Sequence, residues 1–338
     1  DPNARRDRLL PSVDPFPLYC QTIPMPISGE TDKLQNRRGH RMGDNIGELA
    51  AGIPALAGFQ GQAERLGGLT NRVYRLGNHI LRVPGEGTEE YINRTHEAVA
   101  AAEAARVGVG PAVIHADPQT GLMVTRFIPA AATMSPAGFR NRPGAVARAG
   151  AVFRQIHASD AAFPTRFDLF AMVDDYLRIL STKDVTLPEG YHDLTPQIAA
   201  IRAALAARPV PLVACHCDPL CENFLDTGDR MWLVDWEYSG MNDPMWDLGD
   251  LSVEAALDAD QDQALLTAYF GGPPPAADRG RMVIYKAMCD YLWTLWGLIQ
   301  LANANPAEDF RAYADGRFAR CKALILDPAF AAHLRAAS

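Results

Sequence analysis

Short apolar runs broken by glycine turns occupy residues 63–128, and helical periodicity takes over afterwards. The runs at 63–66, 72–76 and 79–83 (HILRV) are joined by Gly67-Gly68-Leu69-Thr70-Asn71 and Gly77-Asn78. Glycine and asparagine tolerate the backbone angles of tight turns, so these segments predict three consecutive antiparallel strands. A short helix is predicted at 45–56, and the alanine-rich segment 91–107, ended by Gly108, predicts a longer one. Strands at 113–115 and 122–128 flank a D-P-Q-T-G turn. Beyond Ile128 the pattern predicts helices at 144–159, 170–181, 195–207, 252–270, 277–304 and 310–326.

This order implies an α+β, bilobal fold. A small antiparallel-sheet lobe with one helix spans 42–128 and a larger helical lobe spans 129–338, with a hinge near 127–132. Residues 1–41 mix prolines with scattered charges and show no sustained period. They read as a disordered tail, or as a leader ahead of a start near Met42.

Composition narrows the class. With 48% hydrophobic and 21% charged residues the chain has an ordinary globular make-up, and a net charge of −8 argues against general binding to nucleic acid or anionic membrane. The most apolar helical stretch, residues 291–302, falls well short of the roughly 20 residues a membrane span needs. Cysteines at 20, 215, 217, 221, 289 and 321 lack the spacing of a secreted disulfide framework, which predicts reduced thiols in a cytoplasm. The C-H-C-D-P-L-C trio has no second ligand pair at zinc-site spacing.

The chemistry concentrates in residues 213–251. His216-x-Asp218-x4-Asn223 is followed by an apolar strand-like run ending on Asp235, then by a polar cluster closing on Asp247. An acid, a carboxamide and a second acid on short loops suit magnesium-dependent phosphoryl transfer. One acid orients the attacking hydroxyl, and hard oxygen donors hold the ion. Upstream, backbone N–H groups of the Gly-Gly turn, with Thr70 and Asn71, can meet phosphate oxygens.

Together, G-G-L-T-N-R-V-Y, H-I-L-R-V-P-G, H-C-D-P-L-C-E-N-F-L, L-V-D-W-E-Y-S-G-M-N-D-P-M-W-D-L-G-D-L-S and L-W-T-L-W-G-L-I-Q resemble the aminoglycoside phosphotransferase and choline kinase superfamily, of protein-kinase-like fold. The likeness covers about residues 45–330 and favours the bacterial choline/ethanolamine kinase branch. It implies ATP and Mg as cofactors, with Asp218 as the catalytic base, Asn223 and Asp235 as magnesium ligands and Glu237 as support for a second ion. Gly68, Thr70, Asn71, Arg82 and Glu97 would hold the nucleotide, and the linker Thr125, Phe127 and Ile128 would read adenine. His216 and Asp247 would support the catalytic loop as partners. Lysines occur only at 33, 183, 286 and 322, so Arg82 takes the phosphate-clamping place on the third strand. D-W-E replaces the D-F-G of protein kinases.

Acceptor choice rests on aromatics. Trp293 and Trp296 lie three residues apart on one helix face with Tyr291 nearby, and Tyr238 follows the metal-binding segment. Such faces attract a quaternary ammonium, which predicts choline or ethanolamine as substrate. Asp168, Asp243 and Asp250 are the candidate acids beside that cation. A kinase of another small alcohol (aminoglycoside, thiamine, homoserine or sugar) and a nucleotide-binding scaffold are the alternatives.

Overall fold

Cross-strand register sorts the small sheet into two chemically different faces. The computed structural model describes residues 46–67, 71–85 and 92–338, so the readings for residues 1–41, Gly68 and Thr70 lie outside them. Strands β1 (Glu64–Gly67), β2 (Arg72–Leu76), β3 (His79–Val83), β4 (Val113–Asp117) and β5 (Leu122–Arg126) form an antiparallel sheet in the order β1-β2-β3-β5-β4. Tyr74, Leu81 and Val124 are mutual neighbours on one face. They pack with Leu76, Val83 and with Ala50, Ile53 and Leu56 from α1 (Ile46–Ala51) and a 3-10 turn at Pro54–Leu56, making a separate apolar cluster. Val73, Arg82 and Met123 share the opposite face, because side chains alternate along a strand. Arg82 is therefore kept out of that cluster.

Helix α2 (Arg94–Arg106) starts later than periodicity suggests. The Asn93 side chain accepts the N–H groups of Thr95 and His96, which fixes the first turn there.

The larger lobe contains β6 (Ala132–Thr133), α3 (Pro136–Asn141), α4 (Ala145–His157), α5 (Leu169–Leu180), α6 (Thr195–Ala207), β7 (Val213–Cys215), β8 (Phe224–Asp226), β9 (Met231–Leu233) and β10 (Gly240–Asn242). Then follow α7 (Pro244–Glu254), α8 (Ala259–Phe270), α9 (Ala276–Ala302), α10 (Phe310–Leu326) and α11 (Phe330–Ala337). The single helix expected over 252–270 is two. Ala256 takes a left-handed φ of 50°, and Asp258 with Gln261 forms a capping box that restarts the chain as α8. The short helices α3 and α11 were not expected from the pattern.

Helix α9 packs against α7, α10 and α11, and most of its residues are buried. Gly249 permits the α7 approach, since a Cβ there would stand 2.8 Å from the Met282 carbonyl oxygen. That approach brings residues after Gly249 against the middle of α9. None of the described helices is long and apolar enough to cross a membrane.

Candidate active site

Two short strands bring the metal-type residues together. β8 and β9 pair so that Phe224 faces Leu233, and the Val234 N–H continues the ladder to the Asn223 carbonyl at 3.0 Å. Asn223 and Asp235 consequently sit at the open end of one hairpin. The Asn223 amide nitrogen donates to the Asp218 carbonyl at 3.0 Å, which leaves its oxygen as the ligating atom.

Backbone strain marks the same place. Cys217 and Asp235 have φ of 67° and 66°, each costing about 1–3 kcal/mol for a non-glycine residue unless surroundings hold it. For Cys217 the holding groups are visible. Fully buried Asp247, in the first turn of α7, accepts the Cys217 N–H at 2.9 Å and the His216 N–H at 2.7 Å, while Trp246 Nε1 donates to the Cys217 carbonyl at 3.1 Å. His216 thus meets the Asp247 carboxylate through its backbone N–H rather than through its ring. The Asp247 carboxylate takes the His157 ring instead, Nε2 to Oδ2 at 3.0 Å. The His216 ring turns to the Val234 carbonyl at 2.9 Å and lies against Trp236, and burial lowers its pKa, so it is neutral. Cys215 and Cys217 point their thiols at backbone carbonyls, and burial pushes both well up.

Above the hairpin, Arg82 pairs with Glu97 of α2 and with Asp235 at 3.0 Å. Arg94 bridges Glu97 at 2.8 Å and Glu237 at 3.2 Å, and the Asn71 amide donates to Glu237 at 3.1 Å. Burial, with Asp235 adding to it, pushes the Glu237 carboxyl up to about 7. Glu97, Asp235 and Glu237 offer oxygens within 4.8 Å of one another. Crowded carboxylates beside a carboxamide are the hard donor set that suits Mg²⁺. Arg82 is buried, yet its Nε and Nη2 have no hydrogen-bond partner among the described residues. Unspent buried N–H groups are uncommon, and a phosphate would satisfy them.

At the linker, the Phe127 N–H is spent on the Asn78 carbonyl at 2.9 Å and the Arg126 N–H on Ala112 at 2.8 Å. Thr125 lies within the β5 ladder, facing Ile80 and Val113. The Phe127 N–H is therefore already engaged within the sheet. The Arg75 guanidinium stacks on the Phe127 ring at 4.0 Å.

Asp218 is half-buried, and burial followed by the carboxylates of Glu254, Glu237 and Asp235 raises its pKa well above the ordinary range. Beyond it runs an aromatic chain. Tyr238 meets Trp293 at 5.9 Å, Trp293 meets Trp296 at 6.3 Å, and Trp296 meets Phe310 at 5.7 Å and Tyr313 at 5.8 Å. Tyr291 points elsewhere and stacks on Tyr191 at 4.7 Å. Asp168 caps α5 with one carboxylate oxygen, and Asp243 is paired with Arg281 at 2.5 Å. Asp250 remains, joined by Glu254, Tyr313 and Arg317, which sequence reasoning missed. Their signal was the four-residue spacing of Asp250 with Glu254 and of Tyr313 with Arg317, which puts each pair on one helix face.

Residues 61–285 match the profile described as "Phosphotransferase enzyme family". The chain belongs to that family. A solved choline/ethanolamine kinase family protein from Mesorhizobium loti is 66% identical, with a TM-score of 0.82 over 86% of this chain and 97% of that one, so the family member is also of the choline/ethanolamine kinase family. The choline kinase LicA from Streptococcus pneumoniae is 26% identical over 78% of this chain and 92% of its own, with a TM-score of 0.66. A LicA structure in complex with AMP is 26% identical over 82% and 96%, with a TM-score of 0.67. The phosphotransferase thus has the protein-kinase-like, bilobal α+β architecture.

Proposed function

We propose that this phosphotransferase carries the γ-phosphoryl group of ATP to the hydroxyl of a small amino-alcohol, choline or ethanolamine. The observation that carries the reading is the adjacency of two different surroundings at Asp218: carboxylates and an unspent guanidinium toward the nucleotide side, and Glu254 with the aromatic chain toward the acceptor side. The similar proteins, a choline kinase and an AMP-bound LicA, support an amino-alcohol and an adenine nucleotide as substrates.

In this reading Asp218 receives a hydrogen bond from the acceptor hydroxyl and holds its oxygen in line for attack. Arg82 clamps phosphate oxygens with the nitrogens that have no partner, and Glu97 with Arg94 keeps that guanidinium in place. Asn223, Asp235 and Glu237 would hold magnesium, which would supply neutralisation of phosphate charge. Tyr238, Trp293, Trp296 and Tyr313 offer aromatic faces to the ammonium head, each good contact contributing about 0.5–2 kcal/mol. Little covalent work falls to the protein; positioning and electrostatics carry the rate. We assign residues 42–128 to nucleotide binding and 129–338 to catalysis and acceptor binding, and we place the reaction in the cytoplasm, where ATP is supplied.

Purified protein with Mg·ATP is to be offered choline, ethanolamine, an aminoglycoside and an uncharged alcohol, with ADP release as readout. Turnover is expected with the amino-alcohols. ADP release no greater than the no-acceptor blank across the panel would sink the reading.

A further inference from the structure

One carboxyl beside the acceptor side has no role in the scheme above. Asp250 on α7 is 1% exposed; its Oδ1 accepts the Cys289 thiol of α9 at 2.7 Å, and its Oδ2 is buried without a hydrogen-bond partner among the described residues. Glu254 lies one helical turn on, and oxygens of both acids and the Cys289 sulfur fall within 4.8 Å of one another. Glu254 is the more open member, its side chain 13% exposed, and its other partner is Arg317 of α10 at 2.5 Å. Arg317 also reaches Asp290 at 3.2 Å and stacks on Tyr313 at 4.6 Å. Asp290 is shared with Arg320 at 2.6 Å.

We propose that Asp250 and Glu254 act as a proton-holding carboxyl pair that selects a cationic acceptor: the empty pair keeps one proton on Asp250, and an ammonium head arriving beside Glu254 displaces it to solvent. This rests on the amino-alcohol reading and deepens it. The balance is simple. A neutral Asp250 and an ionised Glu254 become two carboxylates facing one new cation, with one proton released.

Among the described residues, Arg317 pairs with Glu254 and Asp290 and Arg320 with Asp290, while burial pushes the Cys289 thiol and the Tyr313 hydroxyl upward, so both are neutral. Two carboxylates this close in a buried setting do not both ionise without a further cation. A proton would also give the orphan Oδ2 an O–H to donate. Burial first, then Glu254, raises the Asp250 carboxyl well above its ordinary range. Asp250 acts through Glu254, so it is a positioning residue, and an uncharged alcohol of the same shape would find a pair that needs no partner.

Calorimetric titration of the full chain with choline, near neutral pH in two buffers of different ionisation enthalpy, counts the protons released. Dimethylbutanol, the uncharged carbon isostere of choline, is the control. About one proton is expected to leave per choline bound and none with the isostere. Asp250→Asn, which keeps the size and the acceptor for Cys289, is expected to abolish the release, and Asp218→Asn to retain it. Choline that is turned over yet binds without proton release overturns the pair and leaves the proposed reaction standing. Release lost in Asp218→Asn but kept in Asp250→Asn overturns it by moving the proton to the base. If no amino-alcohol supports ADP release, both readings fall. Should Asp250→Asn not fold, the wild-type comparison of choline with its isostere still decides.

Discussion

Arg82 and Asp235 lie 153 positions apart, and their side chains meet at 3.0 Å, with Glu97 of α2 closing on the same guanidinium. One buried cation therefore ties a strand, a helix and the metal-type acid into a single unit. Glu97 is 2% exposed and Arg82 8%, so each depends on the other. Arg82→Met leaves buried Glu97 with Arg94 as its remaining partner, and is expected to cost about 1–3 kcal/mol of stability together with most nucleotide affinity. Arg82→Lys keeps charge but not the fork, so it should spare most stability while raising the KM for ATP at least about tenfold. Thermal melts beside ATP titrations separate the two, and equal melting losses in both variants would refute the clamp.

Asp218→Asn removes the acceptor for the substrate hydroxyl proton without changing shape. Turnover is expected to fall about 10²–10⁴-fold, with nucleotide binding changed only a few-fold. ADP release and a fluorescent-nucleotide titration are the two measurements, and undiminished turnover would remove Asp218 from its assigned role.

Trp296 is half-buried, whereas Trp293 is 5% exposed, so Trp296→Leu is the cleaner probe of the acceptor side. Losing one cation–π face should raise the choline KM by roughly 3–30-fold and leave the ATP KM alone. A rise for ATP instead would point to a folding effect.

Stability should respond to acid through Asp226. It is fully buried, accepts from Arg148 at 2.8 and 2.7 Å and from Arg142 at 2.8 Å, and stands at the end of β8, three residues after Asn223. Burial alone would raise this carboxyl, but hydrogen bonds from the two guanidiniums outweigh it and bring it down to about 2. A folded pKa below the unfolded one near 3.9 means stabilisation that is complete above that value and drains away as pH falls through about 2. Asp226→Asn is expected to lose roughly 3 kcal/mol near neutral pH, with the gap to wild type narrowing in melts run at about pH 2.5. A gap of constant size would mean the ion pairs are not its origin.

The hydrophobic pattern and the local motifs determined a good deal on their own. Strand β3 and the helices Thr195–Ala207 and Phe310–Leu326 match the periodicity residue for residue, and H-x-D-x4-N followed by a strand and an acid was enough to anticipate the hairpin that joins Asn223 to Asp235. These are short-range effects, set by backbone geometry and turn chemistry. The break at Ala256 escaped because the apolar period runs on across it, while the Asp258–Gln261 capping box that restarts the helix is a local polar signal weaker than the period.

Tertiary packing decided the rest. The motif pairs His216 with Asp247, and it does so through the His216 N–H, while the imidazole on that carboxylate is His157, from a helix 90 positions before Asp247. Asp168, Asp243 and Asp250 were indistinguishable as acids in the chain. Only the approach of α7 to α9 at Gly249, and of α10 to both, separates the two spent on a helix cap and an arginine from the one left with an unpartnered oxygen beside Glu254. A carboxylate's role depends on which charges and dipoles lie within a few ångströms, and those neighbours come from helices that sequence spacing does not relate.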